Sequence, residues 1–341
     1  MEQTQIETVF KNYTELEQDF EAQQLTSGHL NQTFKICNGG KSYLLQKLNT
    51  DIFKNLDKIT SNNILVSKTL KEENYKHDVF EPLAFRDGAY LWGGNWRLFP
   101  FFDGTQTFLK VESRGQAYEA AKFLSEFHST LKTLNVDKIQ ASIEGFLDFN
   151  ARWNQFCDAL KNASEERLEN ASEEIEFVQE KESLLKEWRV CLPQFPERLI
   201  HADPKISNFL FDASSNEKVR ALIDWDTFMC GPILYDFGDM VRSYTGLKDE
   251  DDPDPKGPHF SKENYEALKS GFLYYLDNDL TEVEKDNLEL AGKVVIYVQI
   301  LRFLADYLNG DTYYSVTYEN HNLDRTRSQI NLLKDMIKQL S

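Results

Sequence analysis

Residues 201–226 read HADPKISNFLFDASSNEKVRALIDWD. A histidine, an aspartate, a lysine and an asparagine (His201, Asp203, Lys205, Asn208) are followed at once by an apolar run. After "FLF" come the turn-rich "DASSNEK", then "VRALI", then Asp224. That order is the pattern of a β-hairpin. An antiparallel hairpin sets the start of its first strand beside the end of its second, so Asn208 and Asp224 are expected side by side, with Asp203 in the loop that enters the hairpin. Two carboxylates and an amide oxygen then converge on one small volume, a hard-oxygen donor set that suits Mg2+. Like-charged carboxylates held close are costly unless a cation joins them.

Outward from the hairpin, the chain changes character along its length. Within the first hundred residues "GHLNQTFKIC", "KSYLLQKLN", "AYLWGG" and "NWRLFPFF" have the aromatic and β-branched content of short strands, with the turn "NGGK" among them. "LDKITSNNILVSKTLKEEN" has helical spacing, as do "QAYEAAKFLSEFHSTL" and "SEEIEFVQEKESLLKEWRVCL". The expectation is an α+β protein with a small strand-rich lobe over residues 1–101 and a larger helical lobe over 102–341, meeting near Pro100 to Gly104. "KDEDDPDPKGP", residues 248–258, reads as a mobile acidic loop.

The chain has 341 residues, enough to bury a sizeable core. Its 56 Asp and Glu against 38 Lys and Arg give a formal net charge of −18. That balance argues against nucleic acid and anionic membrane as partners, since both are bound through Lys and Arg. "MEQTQIETVFKNY" lacks the basic and apolar regions of a signal peptide, and no long apolar run predicts a membrane span. Cys37, Cys157, Cys191 and Cys230 are far apart, as expected of reduced thiols in the cytoplasm. A cytoplasmic monomer is expected.

Phosphoryl transfer from ATP needs a metal held by Asp and Asn, a carboxylate that orients the acceptor hydroxyl, and a cation for the developing charge. Asp203 fits the second role and Lys205 the third. "HADPKISN" resembles the catalytic loop of protein kinases and of the aminoglycoside and choline kinase superfamily, and "LIDWDTFMCGPILYDFGDMVR" resembles that superfamily's metal-aspartate segment. "SGHLNQTF", "YLLQKLNTDIFKN", "NWRLFPFFDGT", "LYDFGDMVR" and "LRFLADYLNGDTYY" with "HNLDRTR" are together similar to the bacterial N-acetylhexosamine 1-kinases, over residues 27–327. That resemblance implies a two-lobed protein-kinase-like fold and transfer from ATP, with Mg2+, to the anomeric hydroxyl of GlcNAc or GalNAc. It also implies Asp203 as catalytic base and Asn208 and Asp224 as metal ligands. The backbone around Phe99 to Phe102, with Pro100, Phe101 and Phe102, would receive adenine. Asp236 is expected to brace the catalytic loop. Asp226 either helps hold the metal or orients Asp224.

The nucleotide-facing part departs from the protein-kinase pattern. "TSGHLNQT" offers Gly28 alone in place of a glycine-rich loop. In "YLLQKL" either Lys47 or Gln46 faces the phosphates, since neighbours on a strand point to opposite faces. Asn62 and Asn63 stand where a glutamate partner would be expected. Towards the C-terminus, Gln299, Arg302 and Asp306 share one face of an otherwise apolar helix. They are read as a polar stripe for the acceptor, with an internal Arg–Asp pair as the plainer alternative. Tyr313 is a candidate to stack on a sugar and His29 to reach a hydroxyl. His128 and His201 are read as structural, and His321 as either an acceptor contact or a helix cap.

Two further functions stay open at this level. One is a kinase of the same superfamily for another sugar, an amino sugar or an aminoglycoside. The other is a nucleotide-binding module without catalysis.

Overall fold

Asn38-Gly39-Gly40-Lys41 closes the first hairpin, because Gly39 and Gly40 have φ of 61° and 69°. A tight two-residue hairpin turn needs positive φ at both central positions, which glycine supplies without strain. The flanking strands are β2 (Gln32–Asn38) and β3 (Lys41–Lys47). With β1 (Glu21–Leu25) and β4 (Trp96–Pro100) they form an antiparallel sheet in the order β1-β2-β3-β4. The computed structural model describes residues 2–25, 31–50 and 54–341. Gly28 and His29 lie outside the described residues.

Strand alternation sorts this sheet into two faces. Phe34, Ile36, Leu45, Trp96 and Leu98 pack on one, covered by Ile6, Val9 and Phe10 of the helix Glu2–Lys11. Burial of each such side chain stabilises by about 1.5–3 kcal/mol. The other face carries the cross-strand pair Gln46 and Arg97, and Phe99 opposite Leu44. Phe80 stacks on Phe99 with ring centroids 4.0 Å apart.

The hairpin of the opening stretch forms from β6 (Phe209–Asp212) and β7 (Val219–Leu222), with β5 (Thr105–Gln106) along the outer side of β6. Phe209 pairs with Leu222 and Leu210 with Ala221, and a bulge then shifts Phe211 onto Val219.

The chain divides into two compact units. The first contains Met1–Thr107, Thr130–Ile143 and Asn208–Cys230; the second contains Phe108–Ser129, Glu144–Ser207 and Gly231–Ser341. The second unit is helical and organised around Leu288–Leu308, which is buried along almost its whole length. The helices Phe149–Asn162, Leu234–Tyr244 and His321–Leu340 pack against it. Gly238 lets two of these helices approach closely: a Cβ there would stand 2.6 Å from the carbonyl oxygen of Ala291.

The segment expected as one helix from Ser172 is two, Ser172–Glu180 and Ser183–Cys191. A continuous helix would put Lys181 on the stripe of Phe177, Val178, Leu185 and Trp188. Lys181 instead caps the first of the two helices, its ammonium 5.9 Å from the centroid of the Phe177 ring. Among the described residues no helix is long and apolar enough to cross a membrane.

Candidate active site

In the second unit the strand Glu197–Ile200 delivers the chain to His201. Asp236, fully buried, accepts the backbone N–H of His201 and of Ala202, each at 2.8 Å, and contacts His128 Nε2 at 3.0 Å. Ala202 has φ of +65°. A left-handed conformation costs an alanine on the order of 1–2 kcal/mol, and the two charge-assisted hydrogen bonds hold it there. Tyr244 donates its hydroxyl to the Pro204 carbonyl at 3.1 Å. Asp203 N–H donates to His201 Nδ1 at 3.3 Å. This makes Nδ1 the acceptor nitrogen of that contact. The Asp203 carboxylate is partly exposed, and Lys205 Nζ lies 2.7 Å from its Oδ2.

A polar cluster surrounds Asp203 in this unit. Tyr235, Asp239, Arg242 and Tyr244 all feel its charge. Burial pushes the Asp239 carboxyl above the usual carboxylate range; Arg242 opposes this and Asp203 adds to it. Burial works against the Arg242 charge, but Asp239, Glu250 and Asp203 outweigh it and hold that guanidinium above its ordinary value. Asp239 Oδ1 accepts from Arg242 Nε at 2.9 Å, whereas its buried Oδ2 has no hydrogen-bond partner.

Two further arginines stand in the same neighbourhood. Burial, followed by the nearby charge of Arg302, lowers the Arg152 guanidinium from its ordinary value. Arg152 Nε is buried without a hydrogen-bond partner. Arg302 donates to Gln299 Oε1 at 3.1 Å and lies over the Phe146 and Tyr314 rings at 6.0 and 5.5 Å. Among the described residues neither arginine has a carboxylate within ion-pair distance.

Asp306 has both oxygens engaged. Oδ1 accepts the N–H groups of Thr312 and Tyr313 at 3.0 and 2.8 Å; Oδ2 accepts Tyr314 N–H at 3.0 Å and Asn322 Nδ2 at 2.9 Å. Its carboxylate thus organises the turn after the helix, and Arg302 pairs with Gln299 and not with Asp306. Tyr313 is 75% exposed, its ring edge-on to Tyr314. His321 is buried; Nδ1 accepts Thr317 N–H at 3.2 Å and Nε2 lies 3.3 Å from Asp251 Oδ2.

In the first unit, Ile223 N–H donates to the Asn208 carbonyl at 2.9 Å, so the hairpin brings Asn208 beside the residue that precedes Asp224. Asn208 is buried and Asp224 is exposed. Asp224 has φ of 62° and ψ of 59° and opens the short turn Trp225–Thr227. Asp226, in that turn, is gripped by Arg97: Nη1 reaches Oδ1 at 2.5 Å and Nη2 reaches Oδ2 at 2.8 Å. Arg97 Nε donates to Gln46 Oε1 at 3.0 Å, and Gln46 donates to Thr33 Oγ1 at 3.3 Å. Lys47 is on the opposite sheet face, its ammonium 5.5 Å from the centre of Trp96. Pro100 ends β4, Phe101 N–H donates to Ser42 O at 3.1 Å, and the Phe102 carbonyl accepts from Thr105 Oγ1 at 2.6 Å.

Among the described residues no three His, Cys, Asp or Glu side chains gather as a metal site. Arg97 engages both oxygens of Asp226, and Asn208 and Asp224 are the residues of this segment that would hold a metal. An amide and one carboxylate fit Mg2+, an ion that completes its shell with water and phosphate oxygens.

Sequence reasoning passed over Arg97, Arg152, Asp239 and Arg242. Arg97 carried a signal: a lone charge inside the aromatic run "NWRLFPFF" must find a buried partner. Asp239 carried another, one helical turn after Asp236. Arg152 carried none.

Residues 21–268 match the model of the phosphotransferase enzyme family. The chain belongs to that family. It is a phosphotransferase. Among solved structures it is similar to a choline kinase from Cryptosporidium parvum, with 16% identity, 99% of this chain and 97% of that one covered, and a TM-score of 0.59. A microcompartment-associated aminopropanol kinase gives 16% identity, 98% of both chains and a TM-score of 0.65. A spectinomycin phosphotransferase in complex with ADP and spectinomycin gives 13% identity, 98% and 96% coverage and a TM-score of 0.61. At these identities the likeness establishes the shared α+β fold.

Proposed function

We propose that this phosphotransferase moves the γ-phosphoryl group of ATP to the anomeric hydroxyl of an N-acetylhexosamine, GlcNAc or GalNAc. Residues 1–101 would cover the nucleotide, with adenine against the Pro100–Phe102 backbone, and residues 102–341 would carry the catalytic loop and the acceptor. The ADP of the spectinomycin phosphotransferase supports an adenine nucleotide as donor. Mg2+, held by Asn208 and Asp224, would neutralise charge on the phosphate oxygens.

Asp203 orients the acceptor hydroxyl and takes its proton as the acceptor oxygen bonds to the γ-phosphorus and the bond to the ADP oxygen breaks. An anomeric hydroxyl is more acidic than an ordinary alcohol, which suits a carboxylate base. Lys205, beside Asp203, stabilises the charge that develops on the transferring group. No phosphate contact is proposed for Lys47, which shares its sheet face with the Leu45 and Trp96 core.

The observation that carries the acceptor class is the composition of the cluster around Asp203. Arg152 and Arg302 offer guanidinium donors with no carboxylate of their own, while Asp239 Oδ2 is a buried acceptor without a donor. A neutral polyol with an amide satisfies both kinds of group: its hydroxyls donate to Asp239, and its hydroxyl and acetamide oxygens accept from the arginines. A cationic acceptor would meet two like charges.

The test is product analysis by phosphorus and proton NMR after incubation with ATP, Mg2+ and one of GlcNAc, GalNAc, glucose, galactose, glucosamine or an aminoglycoside. A sugar 1-phosphate formed from an N-acetylated hexose is expected. Phosphorylation of the amine-bearing acceptors alone would refute the acceptor class and leave the phosphotransferase chemistry intact.

A further inference from the structure

The segment Asp224–Phe228 is held from three directions within the first unit. From β4, Arg97 clamps the Asp226 carboxylate with two parallel hydrogen bonds, and the two residues are 3% and 2% exposed. From the helix Leu56–Glu72, Asn62 Nδ2 donates to the Phe228 carbonyl at 3.3 Å. Asn63, with its amide nitrogen turned towards it, reaches the Trp225 carbonyl at 3.1 Å. From the hairpin, the Trp225 indole N–H donates to Leu222 O at 2.9 Å. Asp224 itself sits in the left-handed region, where a non-glycine backbone persists only when its surroundings impose it.

We infer that Arg97 is a positioning residue for the metal site: through Asp226 it fixes the backbone turn that presents Asp224, and Asp226 is a brace and not a ligand. Three features carry this. The two Asp226 oxygens each give one lone pair to a guanidinium N–H, and the carboxylate is 2% exposed, so it is turned into the clamp with little room for a metal ion and its waters. Gln46 takes the third donor direction of Arg97, and Gln46 is in turn fixed by Thr33, so the guanidinium has a single orientation. The distance along the chain from the braced carboxylate to Asp224 is only two residues, with Trp225 between them packed on Phe228 at 5.1 Å. The inference rests on the reading of Asp224 as a metal ligand.

The two roles of Asp226 predict opposite signs for the loss of Arg97. A brace makes Arg97 necessary for metal affinity; a ligand held back by Arg97 would be released by its loss. The experiment titrates Mn2+ into the full-length protein saturated with ADP, without any acceptor, and counts free Mn2+ by electron paramagnetic resonance. Arg97→Lys keeps the charge but cannot bridge both oxygens, and Arg97→Gln removes the charge. Both are expected to weaken Mn2+ by about 10–100-fold, the range for a lost partner of a metal ligand, while ADP affinity in EDTA stays within about twofold of wild type.

The double variant Arg97→Gln/Asp226→Asn leaves no unpaired buried charge, so it is expected to melt above Arg97→Gln. Its Mn2+ affinity is expected to match that of the single variants. Unchanged or tighter Mn2+ binding in Arg97→Lys or Arg97→Gln overturns the brace. Wild-type protein that binds ADP but no Mn2+ overturns the metal reading on which the brace rests, a result distinct from a failed brace.

Discussion

Asp236 accepts the backbone N–H of Ala202 at 2.8 Å, and Ala202 is the left-handed residue immediately before Asp203. One buried carboxylate, planted on the helix Leu234–Tyr244, therefore sets the direction in which this loop projects the Asp203 carboxylate, the proposed base. Asp236→Asn replaces an acceptor with an amide that can turn only one oxygen towards the two N–H groups and His128. We expect a loss of about 3 kcal/mol in urea unfolding and a fall in kcat. A variant of wild-type stability would show that the loop holds its shape without this carboxylate.

Asp203→Asn is expected to lower kcat by about 10²–10⁴-fold, the range for a lost general base, with nucleotide affinity nearly unchanged. Isothermal titration with ADP measures the second quantity. Loss of nucleotide binding together with activity would contradict the assignment of Asp203 to the acceptor hydroxyl.

Arg152 and Arg302 repel each other in the absence of acceptor. Arg302→Met should therefore raise the melting temperature while raising the acceptor KM by about 10–100-fold, as expected when a charged hydrogen bond is lost. The KM for ATP should stay within about twofold. An unchanged acceptor KM, or equal effects on both substrates, would remove these arginines from the acceptor site.

Asp335 lies far along the chain from this chemistry and gives a clean pH signal. Burial pushes its carboxyl up, but the N–H groups of Phe260 and His259, at 2.9 and 2.8 Å, outweigh burial and leave it below the usual carboxylate range. The folded protein then binds fewer protons than the unfolded chain between the two pKa values, so stability falls as pH falls. The unfolding free-energy difference between wild type and Asp335→Asn should be flat above about pH 5, shrink as pH drops past the unfolded value of about 3.9, and vanish below the lowered native value. A difference that grows on acidification would reverse the assignment.

The sequence carried the local parts of this structure and not the distant ones. Turn residues and strand composition are local, so the hairpin that sets Asn208 beside Ile223 was legible from "DASSNEK" and its flanks. Strand alternation showed that Gln46 and Lys47 point opposite ways, but the face each takes depends on register against β4, where Gln46 meets Arg97 and Lys47 meets Trp96. The Arg97–Asp226 clamp joins residues from separate motifs, and no spacing rule links them. On the helix Leu288–Leu308, helical spacing put Gln299, Arg302 and Asp306 on one face. Periodicity does not say that the turn at 312–314 supplies enough N–H donors to occupy Asp306. The helix Glu2–Lys11 and strand β1 were also passed over, since "EAQQL" has neither β-branched nor aromatic residues.

The hold that Asp306 keeps on the chain after its helix has a consequence for how this molecule can change over time. Asp306 accepts the backbone N–H of Thr312, Tyr313 and Tyr314, with the Thr312 hydroxyl as a longer side-chain donor at 3.5 Å, so the path of the turn is set chiefly through the backbone and little by the side chains it displays. Thr312, Tyr313 and Ser315 through Glu319 are exposed. Mutation there exchanges the chemistry presented to the surroundings at little cost to folding. One buried aspartate thus separates heritable variation in this surface from the integrity of the core beneath it.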